Sequence, residues 1–171
     1  FIRYIGGVAV ELPVRAENGF NLDPDEVQKQ ITPKTKAILI NSPANPTGTL
    51  VPPETMQQLA ELGPPVISDE IYHGLVYGDK ERSMLEFSSD VFVLNGFSKY
   101  YAMTGFRLGY VIAPREFVRP IQKAQQNLFI CASSISQWAG LSALTDFHPE
   151  LAHMVNIYDE RRRYLLQALP E

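Results

Sequence analysis

The sequence predicts an α/β fold, a mostly parallel sheet flanked by helices, and two observations lead there. The first is a set of short, continuously apolar runs, too brief for helices and suited to strands buried in a parallel sheet. The second is that segments with helical spacing and helix-start residues alternate with those runs. At 171 residues with 45% apolar side chains, the chain is long enough and greasy enough to bury one sizeable core.

Taken in order, Phe1 to Gly7 reads as the last turn of a helix stopped by glycine, because glycine tolerates the left-handed conformation past a helix end. Val8 to Leu12 reads as a strand. Asn21 to Ile31 reads as a helix with Asp23 as its cap and Pro24 at its first position, where a missing N–H costs nothing. Lys36 to Asn41 surrounds three large aliphatics and suits a strand covered on both faces. A Pro- and Gly-rich loop, Ser42 to Gly48, follows, then a helix over Pro53 to Leu62. Pro65 to Ser68, Val91 to Leu94 and Leu108 to Ile112 read as further strands. Phe117, Ile121, Ala124 and Leu128 recur at helical spacing, and Ser136 to Phe147 can form another helix. From Pro149 onward, Leu151, Met154, Val155, Tyr158, Leu165 and Leu169 line one helical stripe, with the charges of Asp159 to Arg163 largely opposite.

Composition narrows the function classes. A formal charge of -4, with Arg161 to Arg163 as a short basic run, lacks the footprint of a nucleic-acid binder. The single cysteine, Cys131, can form neither an internal disulfide nor a metal cluster, and a reduced, cytoplasmic setting is expected. No stretch reaches the eighteen or so apolar residues a membrane span needs. His73, His148 and His153 share no metal-ligand spacing, so no metal site is expected.

Chemistry concentrates in three segments, each just after a predicted strand: Asn41-Ser-Pro-Ala-Asn-Pro-Thr-Gly48, Ser68-Asp-Glu-Ile-Tyr72, and Asn95 to Tyr110. In an open α/β sheet, functional groups sit in the loops at strand ends. Singly, the first could be only a turn, since Asn, Pro and Gly populate turns for backbone reasons. Asp69 and Glu70 could be an ordinary acidic strand end. The third is harder to explain structurally: Lys99 follows a buried strand closely, and a glycine-rich segment bearing Arg107 follows the lysine.

In identity, order and approximate separation, NPTG at Asn45 to Gly48, SDEIY at Ser68 to Tyr72 and SK…MTGFRLGY at Ser98 to Tyr110 resemble the class I/II aminotransferases. These are fold-type I pyridoxal-phosphate enzymes, and the resemblance covers roughly the first 150 residues. It implies that residues 1–147 are part of the large cofactor-binding domain, that 148–171 lead towards a smaller domain, and that the chain is a central piece truncated at both ends. It also implies a cis peptide at Asn45–Pro46, which an X-Pro bond permits through its small trans preference.

The same resemblance assigns roles. A lysine amine can form a Schiff base with an aldehyde cofactor and, once released, move a proton as general base; both tasks fall to Lys99. The cofactor, pyridoxal 5'-phosphate, is an electron sink while its pyridine nitrogen is protonated, and Asp69 matches the carboxylate that favours that form. Asn45 and Tyr72 match the two donors to the ring phenolate. Arg107 matches the phosphate-binding arginine, whose planar fork offers paired donors. One position departs: many members carry a serine three residues before the lysine, whereas this chain has Gly96, leaving Ser98 as the hydroxyl beside Lys99. The resulting Asn95-Gly96-x-x-Lys99 pattern is similar to some bacterial aspartate aminotransferases and tilts the expected donor towards aspartate.

Other residues keep bland readings. Cys131 is expected to be a small packed residue, Trp138 a core residue, and Gly105 and Gly109 backbone requirements without dinucleotide-fingerprint spacing. His73 adjoins Tyr72 and is expected to pack or face solvent. Family members are about twice this length. The upstream phosphate turn, the ring-stacking aromatic and the downstream carboxylate-binding arginine are therefore expected outside the chain, as is the homodimer partner that completes the site. Three functions compete at this point: transfer of an amino group between an amino acid and a 2-oxo acid, β-elimination-type lyase chemistry on the same scaffold, and a fragment inert by itself.

Overall fold

The computed structural model describes residues 1–169 and contains a four-stranded sheet in the order β1-β2-β3-β4. Strands β1 (Ile38–Asn41), β2 (Val66–Asp69) and β3 (Val91–Gly96) are parallel, while β4 (Gly109–Ile112) runs antiparallel to β3. Five helices accompany them: α1 (Pro24–Gln30), α2 (Pro53–Glu61), α3 (Arg115–Phe129), α4 (Ser134–Thr145) and α5 (Pro149–Ala168). The Asp23 side chain caps α1 by accepting from the Asp25 amide at 2.9 Å, satisfying one of the donors a helix start leaves open.

A hydrophobic core forms on one face of the sheet. Val27 of α1 and Met56 and Leu59 of α2 pack with Ile38, Ile40, Val66, Val91 and Val93 from the strands, and Met84 closes the cluster. Met84 belongs to a single 3-10 turn, Met84–Glu86, which lies in the connection between β2 and β3 where strict strand-helix alternation would put a helix. Twenty-one residues, 70–90, separate the two strands. That exceeds the dozen or so a parallel crossover needs.

The opposite face is less covered. Phe117 of α3 meets Phe92 edge-on with ring centroids 5.1 Å apart, but Leu39 is 58% exposed and all of β4 is exposed. This corrects the expectation that Lys36 to Asn41 is covered on both sides: Ile38 and Ile40 face the core and Leu39 faces outward.

Several other expectations also fail. Val8 to Leu12 forms no strand, because it has no neighbouring strand to pair with among the described residues; only Leu12 packs on the core. Phe1 to Gly7 makes hydrogen-bonded turns ending on a left-handed Gly6 rather than a helix. Trp138 is 72% exposed, since α4 buries only Ser136 and Gly140, and Cys131, in the segment between α3 and α4, is exposed as well. Gly105 meets open space, whereas a Cβ on Gly109 would lie 3.0 Å from the Asn95 carbonyl oxygen, so the backbone requirement holds at Gly109 alone. On α5, Leu151, Met154 and Val155 are half-buried, but Leu165, and Leu169 just past the helix end, are exposed. The final two residues, 170–171, lie outside the described set.

Candidate functional site

The parallel register aligns Asn41, Asp69 and Leu94 at one end of the sheet. Because the three strands run the same way, the loops that follow them, beginning at Ser42, Glu70 and Phe97, all emerge on that side. Antiparallel β4 starts there too, with Gly109 opposite Gly96, which brings Arg107 to the same rim. A Cβ on Gly96 would sit 3.0 Å from both Gly109 Cα and the Leu108 carbonyl oxygen, so a serine here would require this crossing to loosen.

Local hydrogen bonds fix the first two loops to each other. The Asn41 side-chain amide donates to the Asp69 carbonyl at 2.9 Å, and the Ser42 amide donates to the same oxygen at 3.1 Å. The Asn41 side-chain oxygen in turn accepts from the Asn45 backbone amide at 2.8 Å. Both Ser42–Pro43 and Asn45–Pro46 are cis. The Asn45 side-chain amide then reaches the Tyr72 hydroxyl at 3.0 Å. Lys99 is half-buried, and its Nζ lies 5.6 Å from the centre of the Tyr72 ring, within the range at which a cation is drawn to an aromatic face.

The remaining predicted residues form a second group. Ser98 offers its carbonyl to the Thr104 hydroxyl at 2.8 Å, and Arg107 donates from Nη1 to the Thr104 carbonyl at 2.9 Å. Arg107 is exposed and holds a left-handed φ of 52°. For a residue with a side chain that backbone costs on the order of 1–3 kcal/mol, and such positions cluster at functional sites. Asp69 is half-buried; one carboxylate oxygen accepts from the Ile71 amide at 3.2 Å, and the other takes no protein donor among the described residues. Asn45 and Lys99 thus both adjoin Tyr72, Ser98 and Arg107 share Thr104, and Asp69 joins the first group through Asn41. A cavity of about 630 Å³ beside them is lined by Asn45 and Tyr72, with Tyr77 and Arg162, but by neither Lys99 nor Arg107.

Some of the framework was not singled out from sequence. Glu70 is 2% exposed, and its Oε1 accepts from the Ser68 hydroxyl at 3.0 Å, the Ser83 hydroxyl at 3.1 Å and the Met84 amide at 2.9 Å. His73 Nδ1 stands 3.6 Å from its other oxygen. The two-residue alternation Val66, Ser68, Glu70 continues the buried face of β2 and could have revealed it. Arg162 of α5 lies 5.3 Å from the Tyr77 ring centre and is paired with Asp159 at 2.7 Å. Burial pushes the Tyr77 phenol up, and Asp159 adds to that.

The family described as "Aminotransferase class I and II" matches residues 1–171. The chain belongs to the class I and II aminotransferases. Within that family it is 43% identical over 171 residues to the (5-formylfuran-3-yl)methyl phosphate transaminase of Methanocaldococcus jannaschii, covering 98% of this chain and 44% of that protein. It is 37% identical over 176 residues to the aspartate/prephenate aminotransferase of Thermus thermophilus, covering 98% and 46%. Among solved structures, the aspartate aminotransferase from Thermus thermophilus with maleate superposes with a TM-score of 0.91 at 36% identity, over 97% of this chain and 46% of that one. The aspartate aminotransferase from Thermotoga maritima gives 0.92 at 34% identity, over 97% and 45%. The chain therefore spans a little under half the length of these aminotransferases, and the α/β sheet is theirs in fold.

Proposed function

We propose that this chain forms the cofactor-binding part of a pyridoxal-phosphate-dependent aminotransferase, in which Lys99 holds the cofactor and moves the proton. The observation that carries this reading is the cluster of Asn45, Tyr72 and Lys99 at the C-terminal ends of parallel strands. The residues fit the cofactor chemically. Asn45 spends one amide N–H on Tyr72 and keeps another, while the Tyr72 hydroxyl, accepting from Asn45, keeps its own proton to donate. That makes two donors for a phenolate oxygen. Asp69 keeps a carboxylate oxygen for a protonated ring nitrogen, and Arg107, with one of its five N–H groups on Thr104, keeps the rest for a phosphate alongside Ser98.

When bound, the cofactor supplies an electron sink for the charge left on a substrate carbon. The chain's own residues then have distinct tasks. Asp69 keeps that sink effective by stabilising a positive ring nitrogen. Asn45 and Tyr72 orient the ring, Ser98 and Arg107 bind the phosphate, and the Lys99 amine, once free, carries a proton to or from the substrate α-carbon.

An amino acid and a 2-oxo acid are the proposed substrates. Aspartate is the proposed donor, supported by the names of the Thermus and Thermotoga relatives and by the Asn95-Gly96 pattern before the lysine. The relatives' transaminase names weigh against the lyase alternative. A cytoplasmic homodimer and a domain boundary near Phe147 complete the proposal. Incubation with pyridoxal phosphate, borohydride reduction and peptide mapping tests the attachment, which is expected at Lys99 and nowhere else. With the cofactor present, the whole protein should convert aspartate and a 2-oxo acid into a new amino acid, while the 171-residue chain by itself should show little or no turnover; ammonia released by the whole protein without an acceptor would instead establish the lyase.

A further inference from the structure

Two residues outside the set assigned above press the Tyr72 loop against the Lys99 loop. Gly74, two residues after Tyr72, holds a left-handed φ of 86°, and the Tyr100 ring lies directly against it. A Cβ on Gly74 would meet the Tyr100 ring atoms Cδ2, Cγ and Cε2 at 2.5, 2.7 and 2.8 Å. Real Cβ atoms do not come that close, so the ring occupies space that only glycine leaves open.

Both sides of this contact are stiff. The Tyr72 turn is closed by the Leu75 amide on the Tyr72 carbonyl at 3.1 Å and by the His73 amide on the Glu70 carbonyl at 3.0 Å, and Glu70 is buried and hydrogen-bonded. The Lys99 turn is closed by the Ala102 amide on the Lys99 carbonyl at 3.0 Å. The Met103 amide bonds the Phe97 carbonyl, also at 3.0 Å. Tyr100 is half-buried and packs edge-on against Tyr101 at 5.1 Å, which itself lies 5.4 Å from Phe97. When two short rigid turns touch at one point, the separation of neighbouring residues follows from that contact.

We infer that Tyr100, seated on the bare backbone of Gly74, is a positioning residue that sets the distance between the Lys99 amine and the Tyr72 ring. Its catalytic meaning rests on the reading that Lys99 holds the cofactor beside Tyr72; the positioning itself does not. Gly78 supplies an internal control, because it has the same φ of 86° with nothing within 4 Å of an added Cβ.

The test is NMR on the full chain without cofactor, following the Lys99 ε-methylene resonance, assigned with Lys99→Arg. The face of the Tyr72 ring should displace this resonance upfield, and Tyr72→Leu should abolish the displacement. Gly74→Ala and Tyr100→Ala should each collapse the displacement towards the free-lysine value, whereas Gly78→Ala and Tyr100→Phe should preserve it. An unchanged Lys99 resonance in folded Gly74→Ala and Tyr100→Ala overturns the inference. Cofactor attachment is scored separately, by borohydride reduction and peptide mapping of the unaltered chain: labelling elsewhere than Lys99 overturns the functional reading and leaves the positioning result standing.

Discussion

The Asn45 amide and the Tyr72 hydroxyl are 3.0 Å apart, although the two residues are twenty-seven positions apart in the chain. The bond joins the loop after β1 to the loop after β2 and leaves each partner one proton still to donate. Tyr72→Phe should remove one of the two donors proposed for the cofactor's phenolate. Weaker stabilisation of that oxygen should move the pH at which the bound cofactor's visible band titrates upward, measured by absorption across pH.

Lys99→Ala should abolish borohydride-fixed attachment and lower the transamination rate by about a hundredfold or more, the scale of a lost general base. Mass spectrometry of the reduced protein reads the first effect, and a coupled amino-transfer assay with the active protein reads the second. Transamination by Lys99→Ala at the unaltered rate, without added amine, would count against the proton role.

Asp69→Asn should produce a different defect. Attachment at Lys99 should survive, because the lysine is untouched, while proton removal slows strongly for want of a protonated ring nitrogen. A substrate deuterated at the α-carbon should then show a larger isotope effect than with the unaltered protein.

Glu70→Ala should strand the buried Met84 amide and destabilise the fold by about 1–3 kcal/mol, the usual penalty for an unpaired buried donor. Glu70→Gln, which keeps an acceptor oxygen in place, should lose less. Urea unfolding midpoints of the two variants compare them directly.

Helix α5 should carry an acid-sensitive contact. The hydrogen bond from Arg162, together with the charge of Arg163, holds the Asp159 carboxyl below its ordinary range. A depressed carboxylate contributes its stability above its unfolded value, about 3.9, and loses it as pH falls through the lower folded value. As pH falls through that lowered folded value, and not yet at the ordinary carboxylate range, Arg162 should therefore leave the Tyr77 ring, seen as a change in the Tyr77 NMR signals that Asp159→Asn shows already at neutral pH.

Much of the fold was legible because local chemistry and tertiary packing agree. Asp23-Pro24 marks a helix start by capping alone, and the runs around Leu39, Ile67 and Val93 are strands because neighbouring strands receive them. Val8 to Leu12 has the same local character but no partner, and pairing is not a local property. Trp138 was misplaced for a similar reason: its helix spacing is right, but what covers a helix face is decided elsewhere in the fold. In the site, the motif residues were visible by type and order. Glu70 was hidden because a buried carboxylate reads like an exposed one until Ser68, Ser83 and Met84 are seen around it. Gly74 and Tyr100 carry no signal in one dimension, since their relation is a contact between loops.

The uncovered side of the sheet has a thermodynamic consequence. Leu39 and Val111 on the sheet, and Ile135 and Trp138 on α4, already meet water in the folded chain, at 58%, 38%, 76% and 72% exposure, so unfolding wets less additional surface at these residues than at buried ones. Denaturant sensitivity and the heat-capacity increment both scale with newly wetted area. The chain should accordingly show a shallow urea slope and a heat-capacity increment below the usual 12–15 cal/mol/K or so per residue. Its stability would then vary with temperature along a flatter arc than its length suggests.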